Sequence, residues 1–292
     1  MTISGHGSAI VTRFAPSPTG RLHLGHAFSA LRSHDLARAG GGRFLLRIED
    51  IDAGRSRDGF VADIAQDLHW LGLAWDGEAV RQSTRLDAYR AALGALGAAG
   101  LLYPCFCTRA DIAAAASAPH GPEGAVYPGT CRHLDPDLRE QRMVGEPHAW
   151  RLAMDKAVAF VGPVAWHDAG AGEVRAEPAR FGDVVLARKD APASYHLAVV
   201  VDDAWQRVTD VVRGADLFEA THIHRLLQAL LGLPTPRYHH HALLADAEGR
   251  RLAKRDGAPT IAALREGGAD ARALVADLRA GRMPVGLSAT QV

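Results

Sequence analysis

Six residues near the start, Ala15-Pro16-Ser17-Pro18-Thr19-Gly20, constrain the fold of this chain more than any other segment. Proline has no N–H to give to a helix or a central strand, and it pushes the residue before it to extended backbone, while Gly20 permits a tight turn. The segment is a loop. Before it, Ile10 to Phe14 is β-prone. After it, Leu24, Phe28 and Leu31 recur at helical spacing until Gly40-Gly41-Gly42 stops the helix, and Arg43 to Ile48 then predicts a second strand. Ser56 is placed to cap a helix carrying Phe60, Ile64, Leu68 and Leu71, and Thr84 with Asp87 forms a capping-box pattern before Leu86, Leu93 and Leu96. Strands alternating with helices predict an α/β fold with a parallel sheet. Further on, Tyr195 to Val201 is a near-continuous apolar run, Val208 to Val212 is β-prone, and Leu217 to Leu231 is helical. The stretch from Cys105 to about Trp150, rich in Pro, Gly and His and holding all three cysteines, breaks the alternation and reads as an insertion.

Composition narrows the functional classes. With 292 residues, 48% hydrophobic and 23% charged, the chain suits one large domain or two small ones. No apolar run approaches the roughly 18 residues of a membrane span, and Met1 to Ile10 is too polar and Gly-rich for a signal peptide, so a cytoplasmic protein is expected. Lys plus Arg and Asp plus Glu both total 33, which excludes a general attraction to nucleic acid or anionic lipid and restricts any RNA contact to a local patch. Three cysteines in such a chain argue against a disulfide framework and leave metal binding or idle thiols.

The chemistry concentrates at the first turn. His23-Leu24-Gly25-His26 sets two histidines at a helix start directly after a strand and a Pro/Gly loop. A helix N-terminus offers unpaired N–H groups and partial positive charge, Gly25 lets a ligand approach the backbone, and imidazoles donate to phosphate oxygens. The alternative is a surface histidine pair beside a turn; a metal site is disfavoured because this spacing supplies only two ligands. On its own, the basic run Arg250 to Arg255 is a solvated face. Cys105-Phe106-Cys107 and Cys131 supply three thiolates, and tetrahedral Zn²⁺ needs a fourth ligand, for which His120 and His133 are ordinary candidates. Tyr238 to His241 predicts a strand near the nucleotide site, and its three consecutive histidines cannot all face one metal because strand side chains alternate.

Arg13-Phe14-Ala15-Pro16-Ser17-Pro18-Thr19-Gly20 followed by His23-Leu24-Gly25-His26 resembles the HIGH signature of class I aminoacyl-tRNA synthetases, in the form used by the glutamyl and glutaminyl subgroup. Arg251-Leu252-Ala253-Lys254-Arg255 is similar to that subgroup's KMSKS-type loop, commonly Lys-Leu-Ser-Lys-Arg. Arg251 keeps the charge of the family lysine, and Ala253 loses a hydroxyl. The resemblance implies a Rossmann-type parallel-sheet catalytic domain in two halves, 10–104 and 195–245. It places an inserted zinc-binding α+β subdomain at 105–194, and the KMSKS-type loop with short helices at 246–292. It implies His23, His26 and Lys254 as catalytic residues, with Gly25 and Arg251 completing a site for ATP and its Mg²⁺.

The same resemblance assigns an L-glutamate pocket to Arg13, Phe14, Ala15, Pro16, Ser17, Glu49, Tyr195 and Arg213. Glutamate has two carboxylates and one ammonium, so its site needs two cations and an anion. Glu49 would take the ammonium, and Arg13 and Arg213 one carboxylate each, in an order the sequence leaves open. Without the resemblance, Glu49-Asp50-Ile51-Asp52 reads equally as a polar strand end or an acidic metal cluster, and Tyr195 as a core aromatic.

The pattern C-x-C followed by Tyr127-x3-Cys131 resembles the insertion of the short glutamyl-queuosine tRNA(Asp) synthetases, which implies that Tyr127 joins Cys105, Cys107 and Cys131 around one structural zinc. The chain also ends before a helical anticodon-binding domain would fit, and a domain of this size has a radius of gyration of about 19 Å. The resemblance then implies a monomer that activates glutamate without tRNA and esterifies it to the cyclopentenediol of queuosine in the anticodon loop of tRNA(Asp). The competing expectations are a truncated glutamyl-tRNA synthetase charging tRNA(Glu), another H-x-G-H nucleotidyltransferase, and a non-catalytic RNA-binding paralogue.

Overall fold

In the computed structural model, which describes residues 9–108, 110–112, 120–121, 124–246, 259–280 and 287–289, the early prolines separate a strand from a helix. β1 (Val11–Phe14) enters the loop and α1 (Leu24–Ala39) leaves it. β2 (Arg43–Ile48) pairs in parallel with β1, setting Arg13 opposite Leu45, and pairs in parallel with β3 (Val80–Arg81) on its other side. The turn from α1 into β2 requires glycine, since a Cβ at Gly42 would lie 1.8 Å from the Ile10 carbonyl oxygen.

Neither expected cap forms on α2 (Asp58–Trp70) or α3 (Leu86–Ala98). Arg57, not Ser56, occupies the N-cap of α2 without a side-chain bond, and the Ser56 hydroxyl has no partner among the described residues. Thr84 closes a short 3-10 turn over Gln82–Thr84 and donates to the Arg81 carbonyl. Arg85, at the N-cap of α3, directs its guanidinium to Asp202. A long-range ion pair thus takes the place of a local cap.

β4 (Leu102–Cys105) is followed by the hairpin of β5 (His120–Gly121) and β6 (Gly124–Ala125), then by α4 (Pro136–Gly145), β7 (Ala149–Leu152) and α5 (Met154–Val161). Next come β8 (Ala165–Asp168), β9 (Gly172–Arg175) and β10 (Val185–Ala187). β10, β7 and β4 form an antiparallel sheet in that order. The apolar run from Tyr195 opens α6 (Tyr195–Trp205), buried through Leu197, Ala198, Val199 and Val200. β11 (Asp210–Gly214) begins two residues later than Val208, and a 3-10 turn over Ala215–Leu217 delays α7 to Ala220–Leu230. β12 (Arg237–His241) lies parallel to β11 and to β8, giving the order β11-β12-β8-β9. The β8–β9 hairpin, inside segment 105–194, is therefore built into the sheet of the second half. β11 stands beside β1, since Thr209 donates its N–H to the Val11 carbonyl and accepts the Val11 N–H on its hydroxyl.

One apolar core joins Leu24, Phe44, Ile64 and Leu68 to Ile261, Val275 and Leu278 of α8 (Ile261–Glu266) and α9 (Ala271–Arg279). A second lies under α6 and α7 and includes Leu152, Leu186, Leu197, Ile223 and Leu227. No helix among the described residues is long and apolar enough to cross a membrane.

Candidate active site

Residues from the loop after β1, the start of α1, the ends of β2 and β11 and the start of α6 line a cavity of about 620 Å³. Its wall brings together Arg13, Phe14, Ala15, Pro16, Ser17, His23, Gly25, His26, Glu49, Tyr195 and Arg213. Thr19, Ser29, Asp216 and Leu243 also line it and carried no sequence signal on their own. Arg251, Ala253 and Lys254 lie outside the described residues.

The two histidines are held by the helix they open. His23 is the N-cap of α1 and accepts the Gly25 N–H on Nδ1 at 3.1 Å, while His26 Nδ1 accepts the His23 N–H at 3.2 Å. A ring nitrogen that accepts an N–H carries no proton, so each neutral imidazole keeps its hydrogen on Nε2 as a donor. The rings sit 3.8 Å apart between centroids. Glycine at position 25 suits this packing, because a Cβ there would press to 3.1 Å on the His23 ring.

Behind Glu49 lies a buried charge cluster. Arg13 Nε and Arg47 Nη1 both donate to Asp203 Oδ1, at 3.0 and 2.7 Å, and Arg47 Nη2 reaches Glu49 Oε1 at 3.4 Å. Burial alone would raise the Asp203 carboxyl, but the two guanidiniums hold it below the usual carboxylate range. Burial pushes Glu49 up against the pull of Arg47 and Arg13. Asp202, fully buried one residue earlier, accepts from Gln82, Arg85 and Tyr89. Sequence reasoning passed over Arg47, Asp202 and Asp203. The available signal was a charged residue inside Phe44-Leu45-Leu46-Arg47-Ile48 and an Asp pair closing the run from Tyr195, because a buried charge requires a partner.

Arg213 is bound differently. Its Nε donates to His240 Nε2 (3.1 Å), Nη1 to the Tyr195 hydroxyl (3.2 Å) and His224 Nδ1 (3.2 Å), and Nη2 to Thr221 Oγ1 (2.5 Å). Burial and the nearby guanidinium push His224 far below its ordinary value and His240 to about 4, so both rings are neutral near pH 7. Each of these acceptors is uncharged, and Arg213 keeps its full charge at the cavity wall. Arg13, Arg213 and Glu49 thus give the cavity two cations and an anion, the groups that pair with a zwitterionic amino acid carrying a second carboxylate, and Asp216 adds a further carboxylate to the wall.

The three cysteines converge in the insertion. Their sulfurs lie within 4.8 Å of one another, with Cys107 and Cys131 3.4 Å apart. The Tyr127 hydroxyl is 3.5 Å from Cys105 Sγ and 3.6 Å from Cys107 Sγ, and it accepts the Cys131 N–H at 2.8 Å. Sulfurs bound at about 2.3 Å to tetrahedral zinc stand about 3.8 Å apart, so three thiols and one phenol oxygen at these spacings fit a closed four-ligand site. His133 is exposed and does not belong to the sulfur cluster.

Comparison with known proteins gives the family. The model of the family described as tRNA synthetases class I (E and Q), catalytic domain, matches residues 9–288. A Rhodobacter capsulatus protein named glutamyl-Q tRNA(Asp) synthetase is 53% identical over 274 residues, covering 89% of this chain and 96% of its own. A Symbiobacterium thermophilum protein of the same name is 47% identical over 278 residues, covering 91% and 84%. The solved glutamate tRNA ligase of Elizabethkingia meningosepticum, in complex with its amino acid, superposes with a TM-score of 0.73 at 29% identity. The match covers 86% of this chain and 53% of that one, so this chain spans about half of its length.

Proposed function

Because this chain belongs to the catalytic-domain family of class I tRNA synthetases for glutamate and glutamine, we propose that it activates L-glutamate with ATP and esterifies the product to queuosine of tRNA(Asp). The observation that carries the activation step is the single cavity joining Arg13, Glu49 and Arg213 to the His23 and His26 helix start. Glu49 takes the substrate ammonium, and Arg13 and Arg213 orient the carboxylates. The α-carboxylate then attacks the α-phosphorus of ATP, a P–O bond forms, and pyrophosphate leaves. Charge developing on phosphorus meets the Nε2–H groups of His23 and His26, the N–H groups at the start of α1, the Mg²⁺ that accompanies ATP, and Lys254. No protein nucleophile is needed. In the second step a hydroxyl of the cyclopentenediol attacks the acyl carbon, an ester forms and AMP departs.

Glutamate activation is expected with no RNA present, and labelled glutamate is expected to pass to queuosine-bearing tRNA(Asp) but not to unmodified tRNA(Asp) or tRNA(Glu). Parallel acid-gel assays of the three RNAs at one stated salt concentration test this, since binding to RNA is salt-dependent. Charging of tRNA(Glu) at its 3′ end would identify a truncated glutamyl-tRNA synthetase instead.

Zinc, in this reading, is held by Cys105, Cys107, Tyr127 and Cys131. It stabilises the insertion, since a closed four-ligand site leaves no position for a substrate. Elemental analysis of protein purified without chelator is expected to give one zinc per chain, lost or weakened in Cys131→Ser. Metal-free wild-type protein from that preparation would refute the assignment.

A further inference from the structure

Arg213 is subject to two opposed requirements. A buried guanidinium has to be held in one orientation, yet a carboxylate bound to it would consume the charge the substrate needs. Here the nearest acceptor to Nε is the imidazole of His240, and the carboxylate stands one residue further back. His240 Nδ1 lies 2.7 Å from Asp168 Oδ2, and Asp168 Oδ1 accepts the N–H groups of Gly170 and Ala171 at 2.9 Å each. Guanidinium N–H only donates, so His240 Nε2 must be unprotonated and the ring hydrogen must sit on Nδ1, aimed at Asp168. Packing fixes the ring plane: it stacks on Tyr238 at an interplanar angle of 3° and meets the edge of Phe218 at 5.0 Å between centroids.

We infer that Asp168 and His240 are positioning residues for glutamate binding: Asp168 sets the His240 tautomer, and His240 holds the Arg213 fork by a neutral acceptor that leaves its charge for the substrate carboxylate. The inference rests on the proposed glutamate site and adds two residues from β8 and β12 to it. Strand pairing supplies the register, since Tyr238 of β12 lies opposite Asp168 of β8 and the N–H of His240, two residues along the same strand, also donates to Asp168, at 3.3 Å.

Asp168→Asn tests the tautomer directly. The Oδ1 position keeps its two backbone N–H donors, so the new amide NH₂ stands at the Oδ2 position and donates to His240 Nδ1. The ring hydrogen then moves to Nε2, where it opposes the Arg213 Nε–H. The expected result is a KM for glutamate raised about tenfold or more in ATP–pyrophosphate exchange, with the KM for ATP near wild type; about tenfold corresponds to one displaced charge-assisted hydrogen bond. His240→Gln lacks Nδ1 but can present its amide oxygen to Arg213. It should therefore lose less than His240→Leu, and Asp168→Asn added to His240→Gln should cost little more. An unchanged glutamate KM in Asp168→Asn, or equal loss in His240→Gln and His240→Leu, overturns the inference while wild-type exchange still supports the glutamate site. Wild-type protein that exchanges no pyrophosphate with glutamate overturns both.

Discussion

Arg213→Met is expected to lower kcat/KM for glutamate in pyrophosphate exchange by about 10³, roughly 4 kcal/mol, with a smaller loss of folded stability. The activity loss follows from removing one partner of a desolvated charge pair, which costs roughly 2 to 5 kcal/mol. The stability loss is smaller because no carboxylate among the described residues is hydrogen-bonded to Arg213, so the truncation leaves neutral acceptors without a donor but strands no paired charge. Methionine of similar length keeps most of the volume. Steady-state exchange and urea unfolding on the same preparations check both halves. Arg213→Lys is not expected to rescue, because a single ammonium cannot span four acceptors held in a planar fork. A stability loss equal to the activity loss would mark Arg213 as a structural residue.

The second large effect lies on the other wall. Asp203→Asn is expected to destabilise the fold by about 3 to 5 kcal/mol, on the order of 10 °C in Tm, because two buried guanidiniums lose the negative charge they share even though an amide oxygen remains. The pH dependence follows from the direction of the Asp203 shift. Its folded carboxyl lies below an unfolded value of about 3.9, so its contribution is complete above that pH and is lost as pH falls through the lower, folded value. The variant should therefore be less stable than wild type from pH 5 to 8, with the gap closing only in strong acid. Thermal melts from pH 8 down to pH 2 measure it. A constant gap down to pH 2 would mean that the damage is steric rather than electrostatic. Arg13 is also expected to shift, so the glutamate KM should rise along with the loss of stability.

The contrast between the two walls was invisible in the sequence, where Arg13 and Arg213 were equivalent cations in an open order. Tertiary structure separates them: Arg13 is tied to Asp203, 190 residues away, and Arg213 is not tied to any carboxylate among the described residues. The same distance effect explains the misplaced caps. Arg85 lies 117 residues from Asp202, and no local rule indicates that a buried carboxylate will draw that guanidinium to the start of α3.

What the sequence determined by itself was local. Proline geometry separated β1 from α1, the stop at Gly40 to Gly42 ended α1, Arg43 to Ile48 matched β2 residue for residue, and the spacing of Cys105, Cys107 and Cys131 pointed to a thiol cluster within one insertion, Tyr127 being added by family resemblance alone. These features depend on backbone sterics and short-range reach, which neighbouring residues fix. Only the tertiary structure decided which charges are paired and which are kept, because Asp203 meets Arg13, and Asp168 meets His240, through the packing of α6 and of β8 against β12. In a low-dielectric interior an ion pair depends on which groups are desolvated together, and that is a property of the assembled layers rather than of any segment.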